Sequence, residues 1–344
     1  MNDTFLRACR REPTPYTPIW IMRQAGRYLP EYRELRKKYS FIQLCKTPAA
    51  TVEVTLQPLA RFPLDAAIIF ADILLPLEGM GVDFGFDQND GPVIGSPLRN
   101  SADVDRIRVI AAEEATPYLF EAIRQARAAL ADKVPLLGFA GAPFTLASYL
   151  IEGGHSRTYE HTKAMLYTAP KAWAKLMEKL VEVLRRYLRA QIAAGAQAVQ
   201  LFDSWVGCLS PRDYAEFVAP SIRELIAGLA DLSAPVIHFA TDATSLLPLM
   251  KDSGAQVYGV DWRIGLDQAW QVLGHDRAIQ GNLDPAVLSA PPAVIEERVQ
   301  DILRRAGGRP GHIFNLGHGI LPDAPLENVS FLVETVHRLS RRPA

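Results

Sequence analysis

The chain has no apolar run approaching the ~18 residues that a membrane-spanning helix needs. It is also poor in cysteine: Cys9, Cys45 and Cys208 are widely spaced and odd in number. They offer neither a disulfide framework nor a metal-finger spacing, and reduced thiols of a cytoplasmic protein are expected. Charge of one sign is missing as well. Lys and Arg total 37 against 38 Asp and Glu, a net charge of −1, so no global field draws nucleic acid or anionic lipid. The opening MNDTFLRACRREP is polar and charged where a secretion signal needs an apolar core. No Pro/Ser-rich linker or composition break divides the chain, and one domain over residues 1–344 is expected. Any anionic ligand must be held by local cations.

What is present is alternation. Hydrophobic residues make up 49% and charged residues 22%, a globular balance that allows a sizeable core. Seven short apolar runs, at 66–70, 134–139, 197–202, 235–239, 256–260, 277–280 and 312–315, are flanked by Gly, Pro or Asp and read as buried strands. Residues 18–22 are a weaker eighth. Helical stretches lie between them. The longest, 172–194, carries Leu176, Leu180, Val183 and Leu184 on one stripe and stops at Gly195. Another is expected over 211–229, with Ser210 as N-cap before Pro211. Strand–helix alternation implies a parallel sheet, and eight units would close a (β/α)₈ TIM barrel of α/β class. The open doubly wound sheet is the competitor, but its G-x-G-x-x-G loop is missing. Residues 79–95 read as a small hairpin insertion turning at Asn89-Asp90-Gly91.

In such a barrel function gathers where strands end, and the interior is expected to be apolar. The runs exit into Asp72, the stretch holding Tyr149, Asp203-Ser204-Trp205, Asp242, Asp261-Trp262-Arg263, Asp284, and Gly317-His318-Gly319. Asp242, Asp261 and Asp284 are read first as helix caps or turn formers. Tyr149 reads equally as a core aromatic or a site residue. His318 lies between two glycines that let a ligand approach. Asp72 leaves an apolar strand with no cationic neighbour in sequence. A buried carboxylate needs backbone N–H groups or a cation, and a cation is the reading taken.

The N-terminal PIWIMRQAGRYLPEYRELR, residues 18–36, is the densest signal. Arg23 and Arg27, separated by Gln24, Ala25 and Gly26, repel each other unless an anion joins them, and guanidinium forks suit carboxylates. The alternative is a pair of exposed arginines answered by Glu31 or Glu34.

These segments together resemble a known family. MRQAGRYLPEYRELR, FADILLPLEGMG, GFAGAPFTLASYLIEGG, LFDSWVG and FNLGHGILPD are similar, in order, to the signature blocks of uroporphyrinogen decarboxylases. The resemblance implies a homodimeric (β/α)₈ barrel that needs no cofactor or metal. It would convert uroporphyrinogen III into coproporphyrinogen III by removing four acetate carboxyls, a step of haem and chlorophyll synthesis. It assigns substrate binding to Arg23, Gln24, Ala25, Gly26, Arg27, Asp72, Tyr149, Phe202, Ser204 and His318. Asp72 would face the pyrrole nitrogens, and Asp72, Arg23 and Tyr149 would be catalytic. Related barrel methyltransferases carry zinc on His-x-Cys and a later cysteine. Here the position reads His238-Phe239-Ala240, and no cysteine follows Cys208. A non-catalytic tetrapyrrole carrier on the same scaffold is the second alternative.

Overall fold

The computed structural model describes residues 2–87 and 91–342. Its strands are β1 (Ala67–Ile68), β2 (Phe84–Asp87), β3 (Gly91–Ile94), β4 (Leu136–Gly141), β5 (Ala198–Asp203), β6 (Val236–Ala240), β7 (Val257–Gly259), β8 (Ala278–Gln280) and β9 (His312–Ile313). All seven expected runs form strands: β4, β5 and β6 keep the expected length but start one or two residues later, β8 and β9 are shorter at one end, and β1 and β7 at both. Strands β1-β4-β5-β6-β7-β8-β9 make one sheet, every pair parallel, with neighbours following chain order. Strands β2 and β3 pair as an antiparallel hairpin. Asn89 and Asp90, expected at its turn, lie outside the described residues.

The eighth run, 18–22, closes the ring with little ladder. Ile19 bridges Phe314 in parallel; the Phe314 N–H donates to the Pro18 carbonyl at 2.8 Å, and the Asp65 N–H to the Ile19 carbonyl at 2.9 Å. Trp20 N–H still donates to the Phe314 carbonyl at 3.4 Å, but side chains intercept the next donors: Ile21 N–H donates to Gln24 Oε1 and Met22 N–H to Asn315 Oδ1, each at 3.0 Å. Pro18 has no N–H to give. The segment therefore fills the barrel's last place while its backbone peels away toward the strand ends. The fold is an α/β barrel of the TIM type.

The helices follow their patterns with one break. The helix Pro170–Ala194 buries Leu176, Leu180, Val183 and Leu184 and ends at Gly195, φ +123°, as its stripe foretold. The single helix expected over 211–229 is two, Pro211–Phe217 and Ala219–Ala227, divided at Val218. Pro220 is the cause, since its ring is compatible with the first turn of a helix and not with its interior. Ser210 does cap the first piece, accepting from the Asp213 N–H at 3.1 Å.

The barrel interior is not wholly apolar. Trp20 Nε1 donates to Gln280 Oε1 and Gln280 Nε2 to Gln200 Oε1, both at 2.9 Å, and Gln200 Nε2 reaches Met22 Sδ at 3.6 Å. This chain crosses between strands that are not neighbours and satisfies buried amides pairwise. Two residues further along β5, on the same face, Phe202 meets Phe139 and Phe239 edge-on at 5.5 and 5.9 Å. The aromatic layer sits above the polar one, toward the strand ends.

Candidate active site

Arg23 stands where the peeling segment turns. Its φ of +61° lies in the left-handed region, unusual for a long side chain. The side chain crosses Gly319: a Cβ there would lie 2.4 Å from Arg23 Cδ. Arg23 and Arg27 are exposed, and neither side chain has an ion-pair partner among the described residues. The acids that could have answered them are engaged elsewhere, Glu31 by Arg61 and Glu34 by Lys37. Two guanidiniums four residues apart thus keep their charge free of an ion pair, which leaves them available to an anion.

The other members of the 23–27 segment act differently. Gln24 is fully buried, its Oε1 taken by Ile21 N–H and its Nε2 donating to the Ala66 carbonyl at 3.0 Å. That side chain ties the segment to the start of β1, with both of its polar atoms bonded within the protein. Ala25 is buried. At Gly26 the close approach is internal, since a Cβ there would lie 2.9 Å from the Arg23 carbonyl oxygen.

Asp72 follows β1 and is half-buried; its Oδ1 accepts the Leu74 N–H at 2.8 Å. Both answers considered for this carboxylate apply, because the field of Arg23 also acts on it. Neither cancels burial, which raises its pKa from 3.8 to about 6. Tyr149, on the helix Pro143–Glu152 after β4, feels both Asp72 and Arg23, and burial pushes its hydroxyl up. Its ring lies 3.8 Å from that of Trp205, which in turn meets Tyr159 at 5.3 Å. His318, after β9, is held below its usual value by burial and then by Arg23, both of which favour the neutral imidazole. Arg23, Asp72, Tyr149 and His318 thus form one electrostatic neighbourhood. Phe202 supplies the aromatic layer beneath, and Ser204, half-buried, follows β5 at the same end.

The aspartates read as caps divide. Asp284 is a cap, accepting the Ala286 N–H at 2.9 Å. Asp242 is not: it has φ +54° and pairs with Arg263 Nε at 2.6 Å. Asp261 is buried, accepts the Asp242 N–H at 2.7 Å and holds Arg263 Nη1 at 2.7 Å. Neither starts a helix, but Asp261 Oδ1 accepts the Arg263 N–H two residues on at 3.0 Å and so is a turn former, the other role the sequence allowed it.

Sequence reasoning passed over three features. Trp205 backs Tyr149. Behind it Thr145 donates to Asp203 at 3.0 Å, and His238 Nε2 lies 3.7 Å from the other Asp203 oxygen, all buried in the layer outside β5 and β6. Asn315 fixes the turn into Arg23. Trp205 and Asp203 had a local signal, their place at a strand exit, but their contacts join residues distant in sequence. Among the described residues no three His, Cys, Asp or Glu side chains group as metal ligands.

Comparison with known proteins places this geometry. A solved methyltransferase from Methanosarcina mazei superposes with a TM-score of 0.82 at 22% identity, covering 98% of each chain, a likeness of fold alone. A putative vitamin-B12-independent methionine synthase from Listeria monocytogenes follows at TM-score 0.59 and 13% identity, over 95% of this chain and 96% of its own. In sequence, a uroporphyrinogen decarboxylase of Carboxydothermus hydrogenoformans is 59% identical over 340 residues, 99% of this chain and 97% of the relative. That of Sorangium cellulosum is 58% identical over 341 residues, 99% and 97% of the two chains. The family model described as uroporphyrinogen decarboxylase (URO-D) matches residues 1–339, and the chain belongs to that family.

Proposed function

We propose that the protein decarboxylates the four acetate side chains of uroporphyrinogen III to give coproporphyrinogen III, without cofactor or metal. The observation that carries this reading is Asp72, a carboxylate at a strand exit with one backbone N–H and an otherwise uncompensated Arg23 for company.

An acetate on a pyrrole has no carbonyl to receive the electrons left by carbon dioxide. Adding a proton to the ring carbon beside nitrogen makes a cationic ring that can. The bond from side-chain carbon to carboxyl then breaks, its electron pair enters the ring, and a second proton replaces the lost carbon dioxide at the side chain. Loss of the first proton restores the pyrrole. The four inward N–H groups of a domed porphyrinogen suit a single carboxylate, and ionised Asp72 stabilises the ring cation as it forms. Arg23 and Arg27 anchor substrate carboxylates; a guanidinium gives up its proton too reluctantly to be the main acid. Neutral His318, Ser204 and the raised Tyr149 hydroxyl are hydrogen-bond partners for side-chain carboxylates. Tyr149 also fixes the pose against Asp72, and Phe202 gives the macrocycle a flat apolar face.

The reading includes a single domain over residues 1–344, a cytoplasmic location and a homodimer. Support for one domain is the core cluster, which runs continuously from Phe5 to Val336. No helix among the described residues is long and apolar enough to cross a membrane.

The test is an anaerobic incubation with uroporphyrinogen in the presence of a chelator. Hepta- to tetracarboxylate porphyrins are expected after oxidation of the products. Unchanged octacarboxylate would refute the activity, and turnover that needs added metal would refute its cofactor independence.

A further inference from the structure

The residue before Arg23 is gripped on both sides by the stretch that follows β9. Met22 N–H donates to Asn315 Oδ1 at 3.0 Å, and the Met22 carbonyl accepts the Ile320 N–H at 2.9 Å. Asn315 Oδ1 also accepts the Leu316 N–H at 2.8 Å, so one amide oxygen fixes both the chain entering Arg23 and the chain leading to His318. The residue after Arg23 is equally held. Gln24 N–H donates to the Ile21 carbonyl at 2.9 Å, while its side chain bonds Ile21 N–H and the Ala66 carbonyl. Between these clamps Arg23 takes its left-handed conformation, and its side chain crosses the bare Cα of Gly319.

Asn315 itself has no exposure, and its Nδ2 has no partner among the described residues. A buried amide that uses only its oxygen leaves a donor unpaired, which packing alone does not reward. An apolar side chain would avoid that loss, but it would free Met22 N–H to continue the ladder toward β9. Arg23 would then be drawn into the strand instead of turned into the cleft.

We infer that Asn315 is a positioning residue for the reaction: its amide oxygen takes Met22 N–H out of the sheet and aims Arg23 across Gly319 at the substrate carboxylates. The inference rests on the proposed function only in giving Arg23 a substrate to hold.

The experiment is a double-mutant cycle with Asn315→Ala and Arg23→Gln, read as kcat/KM and, separately, as the His318 titration by NMR. Asn315→Ala is expected to lower kcat/KM by about tenfold or more, since displacements near 1 Å carry such costs. In the Arg23→Gln background it is expected to add little. Asn315→Asp keeps the acceptor and is expected to stay within about threefold of wild type. Asn328→Ala removes another buried amide, one that bonds the Leu288 and Ala290 carbonyls, and should leave kcat/KM unchanged. The His318 titration should move upward in Asn315→Ala and in Arg23→Gln, and no further in the double variant. Additive losses, or an Asn315→Asp as impaired as Asn315→Ala, would overturn the inference. The NMR cycle decides it even if the wild type fails to turn over uroporphyrinogen, a result that would sink the proposed function alone.

Discussion

Asp72 concentrates the conflict between stability and activity in this molecule. Its folded pKa is raised from 3.8 to about 6, so the native state binds the proton more tightly than the unfolded chain does. The ionised form therefore costs stability above pH 6, and the cost fades as pH falls from 6 toward 3.8. At about 1.4 kcal/mol per pKa unit, the charge costs roughly 2–3 kcal/mol at neutral pH. Asp72→Asn keeps an acceptor for the Leu74 N–H and loses the charge. It should raise the melting temperature at pH 7.5 while lowering decarboxylation heavily, and a variant that is active or less stable would contradict the assignment. In the wild type the ionised fraction disappears below pH 6. There kcat/KM should fall by about tenfold per unit, and a flat profile down to pH 5 would remove Asp72 from catalysis. Asp72 could be found at a strand exit from sequence; the sign of its shift could not, because desolvation depends on everything folded around it.

At the scale of elements, the site is an agreement between the 18–22 segment and the loop after β9. Gly319 shows this most simply. Its φ does not require glycine, but a Cβ would meet Arg23 Cδ at 2.4 Å and Cγ at 2.8 Å. Gly319→Ala should therefore displace a flexible side chain at small cost in stability, under about 1 kcal/mol. It should still lower kcat/KM by about tenfold, because the guanidinium moves. Matched thermal and kinetic measurements check this; a large drop in melting temperature with unaltered kinetics would contradict it. The glycines around His318 were read as an opening for a ligand, whereas the use of Gly319 as the bed for Arg23 depends on a residue almost three hundred positions away. The broken helix at Val218 was legible in principle from Pro220; the eighth strand was placed at 18–22, but its reduction to a bridge was not legible. Its donors are taken by Gln24 and Asn315, and no local pattern announces that.

For the whole molecule, closure depends on Asp65, at the start of β1 and away from the cleft. Its carboxylate is buried and accepts from Asn2 Nδ2 at 2.9 Å, Tyr16 OH at 2.8 Å and Ile19 N–H at 2.8 Å. His337 Nε2, on the final helix Leu326–Leu339, lies 2.8 Å from it. One side chain thus ties the N-terminal segment, the closing strand and the last helix. Asp65→Ala would leave these groups unanswered and should destabilise by about 3 kcal/mol or more, read as a lower denaturation midpoint. A wild-type midpoint would show that closure does not depend on this residue. Acid stability has a global component too. Burial lowers His312 from 6.5 to about 4, so its contribution is lost as pH falls through that window, where Asp72 acts with the opposite sign.

By itself the sequence determined the alternation of strand and helix, the strand exits and the motifs of the family. These are local: periodicity, glycine, proline and short polar runs at chain breaks carry them. The tertiary structure alone decided which partner each polar group found. Arg23 and Arg27 were left without an ion pair among the described residues because Glu31 and Glu34 are occupied by Arg61 and Lys37. The Gln24 side chain became a structural tie, since both of its polar atoms bond within the protein. Asp72 became a base of raised affinity by burial. Hydrogen bonds and desolvation act over a few ångströms of space regardless of chain distance, so they are fixed only when the barrel closes.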